Sequence, residues 1–151
     1  MQVQSKHIIT HETFLQYVDK ICESVKDYKF DTIVGLGRGG YVPSVYISHR
    51  LGVNKVISLV AKSYTDDNIR GELNFLQEPI LTDKCKRVLV VDDIVDSGNT
   101  FSFVQEWLNT EYPTVEAIFA SVVYKKQLTF PNVIYGHIAP ADQWIVFPWE
   151  V

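Results

Sequence analysis

Residues 87–100 read RVLVVDDIVDSGNT, from Arg87 to Thr100. Val88 to Val91 are four apolar residues whose run length and β-branching suit a strand buried on both faces of a parallel sheet. Such a strand is central. At its carboxyl end stand Asp92 and Asp93, then Asp96, then Ser97-Gly98-Asn99-Thr100 leading into the amphipathic run Phe101 to Leu108. Carboxylates withdrawn from water need cationic or hydroxyl partners, so three acids at the end of a core strand imply a ligand. The turn after them exposes backbone N–H groups at the positive end of a helix dipole, and Ser97 and Thr100 add hydroxyls. That is a phosphate cradle. Acids suited to sugar hydroxyls or a hydrated Mg²⁺ lie just before it, and the two together fit a phosphorylated sugar.

The succession of four apolar residues, two acids, two apolar residues and Asp-Ser-Gly-Asn-Thr, Val88 to Thr100, closely resembles the 5-phosphoribosyl-1-diphosphate (PRPP) binding signature of the type I phosphoribosyltransferases. The resemblance implies an α/β fold with a central, mostly parallel sheet flanked by helices, a flexible lid loop and a small C-terminal hood. It implies that Asp92 and Asp93 hold the ribose hydroxyls, that Ser97, Gly98, Asn99 and Thr100 hold the 5-phosphate, and that Mg²⁺ is the cofactor. Asp93, Asp92 and Glu150 are the candidate metal ligands. Asp96 is the candidate general base, because a purine that forms a bond at N9 must lose a proton.

Composition sets the outer limits. A chain of 151 residues has the length of one domain and buries roughly 68–70% of its unfolded surface. Hydrophobic content of 46% with 21% charged residues is that of a soluble globular protein rather than a disordered one. Net charge is −4 with no basic run, so no nucleic-acid footprint is present and partners should be small molecules or copies of the chain. No apolar run nears the ~20 residues of a membrane span, and MQVQSKHIITHE lacks the apolar core of a signal peptide. A cytoplasmic protein is expected. Cys22 and Cys85 lack metal-ligand spacing and read as reduced packing residues.

From a Thr10 cap, Phe14, Leu15, Val18, Ile21, Cys22 and Val25 recur at helical spacing. His7 and His11 are four apart, but no third ligand is nearby and both read as solvated. Asp31 to Leu36 predicts a buried strand, followed by the loop Gly37-Arg38-Gly39-Gly40 and a helix from Tyr41 to Arg50 that stops at Gly52. Gly35, Gly37 and Gly40 match the dinucleotide pattern G-x-G-x-x-G. The acid which that site wants about 20 residues on is missing, for Ala61-Lys62-Ser63 stands there. The loop better resembles the family's pyrophosphate loop, with Arg38 and the amides of Gly39 and Gly40 facing the diphosphate and a cis peptide at Gly37-Arg38.

Lys55 to Ala61 reads as the next strand, and residues 62–77 as a long polar loop. Ser63-Tyr64 resembles the Ser-Tyr pair on the lid of purine phosphoribosyltransferases, which excludes water from the reacting centre. Thr114 to Tyr124 and Val133 to Ile138 predict two more strands, so the motifs collect at strand carboxyl ends, where open α/β sheets bind ligands. Residues 139–151, APADQWIVFPWEV, form an aromatic flap that either stacks on a planar ring or closes the core.

The resemblance makes that flap the base-binding hood of the small bacterial xanthine-guanine and hypoxanthine enzymes, with Trp144 stacked on the purine and the Ile145 backbone at its exocyclic edge. Lys125, with Lys126 as the neighbouring alternative, would read O6 of a 6-oxopurine. The implied reaction joins hypoxanthine, guanine or xanthine to PRPP, giving the nucleoside monophosphate and pyrophosphate. A homodimer or homotetramer is implied, with exposed apolar residues of the first two helices at the contact. Two other readings stand beside this one: a non-catalytic PRPP-sensing regulator on the same fold, and an enzyme for orotate or uracil.

Overall fold

The computed structural model describes residues 5–63, 73–126 and 130–150. Its elements follow in the order β1 (Lys6–Ile8), α1 (His11–Val25), β2 (Thr32–Leu36), α2 (Gly37–Leu51), β3 (Val56–Ser63), β4 (Leu73–Gln77), β5 (Arg87–Val95), α3 (Asn99–Glu111), β6 (Glu116–Lys125), β7 (Ile134–Ala139) and β8 (Trp144–Val146), ending in a 3₁₀ turn, Pro148–Glu150. The Thr10 hydroxyl accepts from the Thr13 amide at 3.1 Å and so caps α1. A cap contributes about 1 kcal/mol, whereas each fully buried apolar side chain contributes ~1.5–3 kcal/mol. The cap therefore sets where α1 begins, and the buried stripe Phe14, Val18, Ile21, Cys22 and Val25 decides that it forms.

Val88, Leu89, Val90 and Val91 are each 0% exposed, as a strand covered on both faces must be. Leu89 and Val91 pack in the layer of α1 and α2, with Phe14, Ile21 and Ile47. Val88 and Val90 pack in the layer of α3, with Phe101, Val104 and Leu108. The main sheet runs β4-β3-β2-β5-β6-β7. It is parallel except at its edge, where β4 pairs antiparallel with β3. From β2 the chain passes through α2 to β3 on one side, and from β5 through α3 to β6 on the other. The two strands are neighbours, so the connections part at their carboxyl ends. That topological switch point is the place where an open α/β sheet leaves a crevice.

Several expectations are corrected. The stretch 62–77 is not a continuous loop, because β3 runs on through Ser63 and residues 73–77 form β4. β5 continues past the apolar run to Val95 and carries both acids within the strand. The helix expected from Tyr41 begins at Gly37 instead. Three glycines near the helix start cost about 1 kcal/mol each relative to Ala, and Pro43 lacks the amide that would reach the Gly39 carbonyl, so propensity alone reads a loop. Packing overrides it: a Cβ on Gly40 would lie 2.5 Å from the Val91 carbonyl oxygen, so only glycine lets α2 rest directly on β5. His7 and His11 are not both solvated. The His7 ring packs on that of His137 at 5.2 Å with its Nε2 buried and unpartnered, and His11 Nε2 meets the Tyr46 hydroxyl at 3.1 Å.

A second, two-stranded sheet joins β1 to β8 in parallel. The C-terminal turn is anchored on α1 by the edge contact of Phe14 with Trp149, 5.3 Å between centroids, and by Trp149 stacked on Phe147 at 4.8 Å. Cys22 and Cys85 are buried and free, and burial pushes the Cys22 thiol up to about 11. No helix among the described residues is long and apolar enough to cross a membrane.

The seat of α1 on β7 is equally close, since a Cβ on Gly136 would lie 2.5 Å from Tyr17 Cβ and 2.9 Å from the Val122 carbonyl oxygen. Gly136→Ala is therefore expected to cost about 1–3 kcal/mol, the usual penalty of overpacking. Urea unfolding checks this, with a lower midpoint at an unchanged m-value.

Candidate active site

The acid pair sits where β5 leaves its regular alternation. Had the two-residue period continued from Val91, Val95 would share its layer. Instead Ile94 packs against the α1 and α2 layer and Val95 belongs to the α3 layer, so the alternation slips by one residue across Asp92-Asp93. The slip is accompanied by local side-chain bonds. The Asp93 amide donates to Asp92 Oδ1 at 2.8 Å, and the Ile94 amide donates to Asp93 Oδ1 at 2.7 Å. Burial, followed by the neighbouring Asp93 charge, pushes the Asp92 carboxyl well above the usual carboxylate range. Burial also raises Asp93, and Glu150 adds to it, while the Asp92 carboxyl and the Ile94 amide pull the other way.

Asp93 also touches the glycine turn. A Cβ on Gly39 would come within 2.2 Å of Asp93 Oδ2, so the carboxylate lies directly against the start of α2 and leaves no room for a side chain there. Gly37 takes the left-handed conformation, φ +64°, which glycine adopts at no steric cost. Among the described residues every peptide bond is trans, so the expected cis peptide at Gly37-Arg38 is not found. Arg38 is exposed in the first turn of α2, a turn with no acidic residue.

A glycine turn leads into α3 after Asp96. Gly98, φ +85°, is the N-cap of α3, and the first turn holds neither an acid nor a capping side chain among the described residues. The Asn99 amide donates to Ser97 Oγ at 3.3 Å, and the Ser102 amide to the Gly98 carbonyl at 2.9 Å. The leading amides of α3 thus present the orphan donors of a helix start. Asp96, Ser97 and Asn99 are exposed, and Thr100 is half-buried.

On the other side of the crevice, Lys125 ends β6 at 6% exposure while Lys126 is exposed. The Lys125 ammonium donates to the carbonyls of Ala141 and Gln143. Trp144 is 55% exposed and Ile145 is buried. Register then fixes a direction. The Trp144 amide donates to the Ser5 carbonyl at 2.9 Å, and the Val146 carbonyl accepts from the Ile9 amide at 2.9 Å. Backbone groups alternate sides along a strand, so the N–H and C=O of Ile145 face away from β1.

The Glu150 carboxylate is engaged by the backbone of its own turn. Its Oε1 accepts from the Phe147 amide at 2.9 Å, and no three His, Cys, Asp or Glu side chains gather as a metal-holding group among the described residues. Ser63 is the exposed last residue of β3, and Tyr64 lies outside the described residues. Two open cavities of about 760 Å³ each flank the crevice rather than fill it. One lies between Arg38, Tyr41 and Ile80, the other between Phe75, Thr100 and Trp107. The sequence reading missed β1, β4 and β8 as strands. Three residues are too few to show a period, and β4 offers only the short alternation of Leu73 and Phe75, with Leu76 beside it, after a run of polar residues.

The raised Asp92 has a consequence for stability. Folding favours its neutral form, so its contribution is fully present below about pH 4, where the unfolded chain is also protonated, and is lost as pH rises through the folded value. Asp92→Asn is neutral at every pH. In ligand-free protein it should melt at a higher temperature than the wild type near pH 7–8, with the gap closing toward about pH 4. Thermal melts across that range check the sign, and an equal or lower Tm at pH 7–8 contradicts it.

Comparison with known proteins agrees with this geometry. The phosphoribosyl transferase domain family matches residues 5–151. A xanthine-guanine phosphoribosyltransferase from Idiomarina loihiensis is 31% identical over 124 residues, covering 82% of this chain and 73% of that protein. The xanthine-guanine-hypoxanthine phosphoribosyltransferase of Helicobacter pylori superposes with a TM-score of 0.85 at 30% identity, over 97% of this chain and 94% of the other. A purine phosphoribosyltransferase from Pyrococcus horikoshii superposes with a TM-score of 0.81 at 29% identity, over 97% and 95%. The acid pair, the cradle and the glycine turn of this chain therefore stand on the fold of the type I phosphoribosyltransferases, and the chain belongs to the purine branch of that family.

Proposed function

We propose that the chain is a purine-salvage enzyme that transfers the 5-phosphoribosyl group of PRPP to N9 of a 6-oxopurine. The observation that carries this reading is the meeting of the acid pair with the start of α2, the Asp93 carboxylate lying against Gly39. It sets groups suited to ribose hydroxyls, to a diphosphate and to a 5-phosphate around one crevice.

In the transfer, N9 of the base forms a bond to the ribosyl carbon as the bond from that carbon to the diphosphate breaks, and the base loses its proton. Positive charge develops on the sugar while negative charge leaves with the diphosphate, so positioning and electrostatics dominate. Asp92 and Asp93 hold the ribose hydroxyls. Ser97, Gly98, Asn99 and Thr100 hold the 5-phosphate at the head of α3. Arg38, with the amides of Gly39 and Gly40, faces the diphosphate. Asp96 takes or stabilises the proton of the base through N7. Lys125 donates to O6, Trp144 stacks on the ring, and the outward-facing backbone of Ile145 meets the exocyclic edge. Ser63, the last residue of β3, and Tyr64 are the pair this reading assigns to closing over the reacting centre.

The crowded acid pair fits Mg²⁺, since Mg²⁺ usually takes one or two carboxylates plus substrate phosphates. Bound there with PRPP, the ion would neutralise charge on the departing diphosphate. Glu150 acts at longer range, its carboxylate held by the Phe147 amide and its charge felt by Asp93. A homodimer or homotetramer belongs to this reading, with Tyr41 and Val45 of α2 exposed toward such a contact.

The test supplies PRPP, Mg²⁺ and each of hypoxanthine, guanine, xanthine, orotate and uracil in turn, and follows pyrophosphate. Release with an oxopurine supports the proposal. Release only with a pyrimidine moves the substrate class, and binding of PRPP with no release under any base leaves a sensor. Asp96→Asn should lower kcat by ~10²–10⁴, the usual worth of a general base, with PRPP affinity kept. Unchanged turnover removes Asp96 from that role.

A further inference from the structure

Lys125 is a buried cation, 6% exposed, and none of the ion pairs among the described residues includes it. An ammonium withdrawn from water needs acceptors. It finds them in the backbone of residues 140–143, the turn that leads into β8. The Gln143 amide closes that turn on the Pro140 carbonyl at 3.1 Å. Two further carbonyls of the turn, those of Ala141 and Gln143, accept from Lys125 Nζ. The next residue, Trp144, enters β8 with its amide bonded to Ser5.

We propose that Lys125 is the latch of the hood: its ammonium, tied to the Ala141 and Gln143 carbonyls, holds Trp144–Val146 in place before any base arrives. An ammonium carries three N–H groups. With two spent on the turn, one is left for an acceptor on the ligand. A base with a ring carbonyl then meets a lysine already desolvated and already ordered, so the entropy of fixing a long side chain is met at folding rather than at binding. The same arrangement links lysine and hood. A change that frees the ammonium also frees the strand that carries Trp144 and Ile145. The latch stands on contacts of the ligand-free protein, and only the use of the third N–H rests on the proposed purine reading.

Lys125→Met keeps the stem and removes every donor, while Lys125→Arg keeps donors. The readout is amide hydrogen exchange in the protein without base, taken as the ratio of the Trp144 rate to the rate of Leu108 in α3. Loss of the two part-buried hydrogen bonds, a close one to the Gln143 carbonyl and one of 3.5 Å to that of Ala141, should raise this ratio about tenfold or more in Lys125→Met. In Lys125→Arg it should stay within about threefold of the wild type, since the guanidinium also donates. Global loosening does not raise the ratio, so an unchanged or lower ratio in Lys125→Met overturns the latch, even where base affinity falls. A ratio in Lys125→Arg as high as in Lys125→Met also overturns it, because packing and not donation would then be the cause. An enzyme inactive on every base but showing the expected ratios fails the purine reading and leaves the latch standing.

Discussion

The contact between the Asp93 carboxylate and Gly39 is the constraint around which this molecule is arranged. It fixes how near the start of α2 can come to β5, and so the width of the crevice between the two neighbouring strands. Gly40 extends the same closeness to the Val91 carbonyl. A helix that begins with glycines and contains Pro43 is weak on its own, yet it forms because the sheet receives it without side chains in between. A carboxylate kept in so narrow a space is pushed toward protonation, and the neighbouring Asp92 is pushed further. The fold therefore holds a pair of acids in tension with their surroundings.

The far wall of the crevice follows a different principle. There the backbone supplies most of the polar groups, and three side chains secure them: Lys125 on the turn carbonyls, Glu150 on the Phe147 amide, and Phe14 beneath Trp149. Carboxylates crowd one side of the cleft, and the other offers an ammonium, an exposed indole and the open edge of a strand. Under the proposed reading, the phosphorylated, hydroxylated half of the ligand takes the first side and its planar, carbonyl-bearing half the second.

How much of this was legible in the sequence depended on the length over which each signal ran. The central strand, its acids and the cradle were readable because thirteen consecutive residues, Val88 to Thr100, carry both the apolar run and the turn chemistry. Helix α1 was readable from its stripe. The start of α2 was not, because propensity sees glycine and proline while the decisive term is contact with a strand some fifty residues later in the chain. β4 stayed hidden although Leu73, Phe75 and Leu76 are apolar, because five residues after a polar run give too short an alternation to stand out. β1 and β8 are three residues each, and only their pairing across the length of the chain makes them strands. Lys125 is buried and Lys126 exposed, a difference that no neighbouring residue announces.

The register of β8 on β1 sets which way the Ile145 peptide faces, and its side chain points into the core. Under the proposed reading, recognition at that edge is written in main-chain geometry. Point substitutions that keep an apolar residue at 145 leave that geometry alone, so the edge tolerates drift in its own codon. A single-residue insertion or deletion in the turn ahead of it has the opposite effect, exchanging the outward peptide for its neighbour. The hood is thus robust to spelling changes and fragile to changes of reading length.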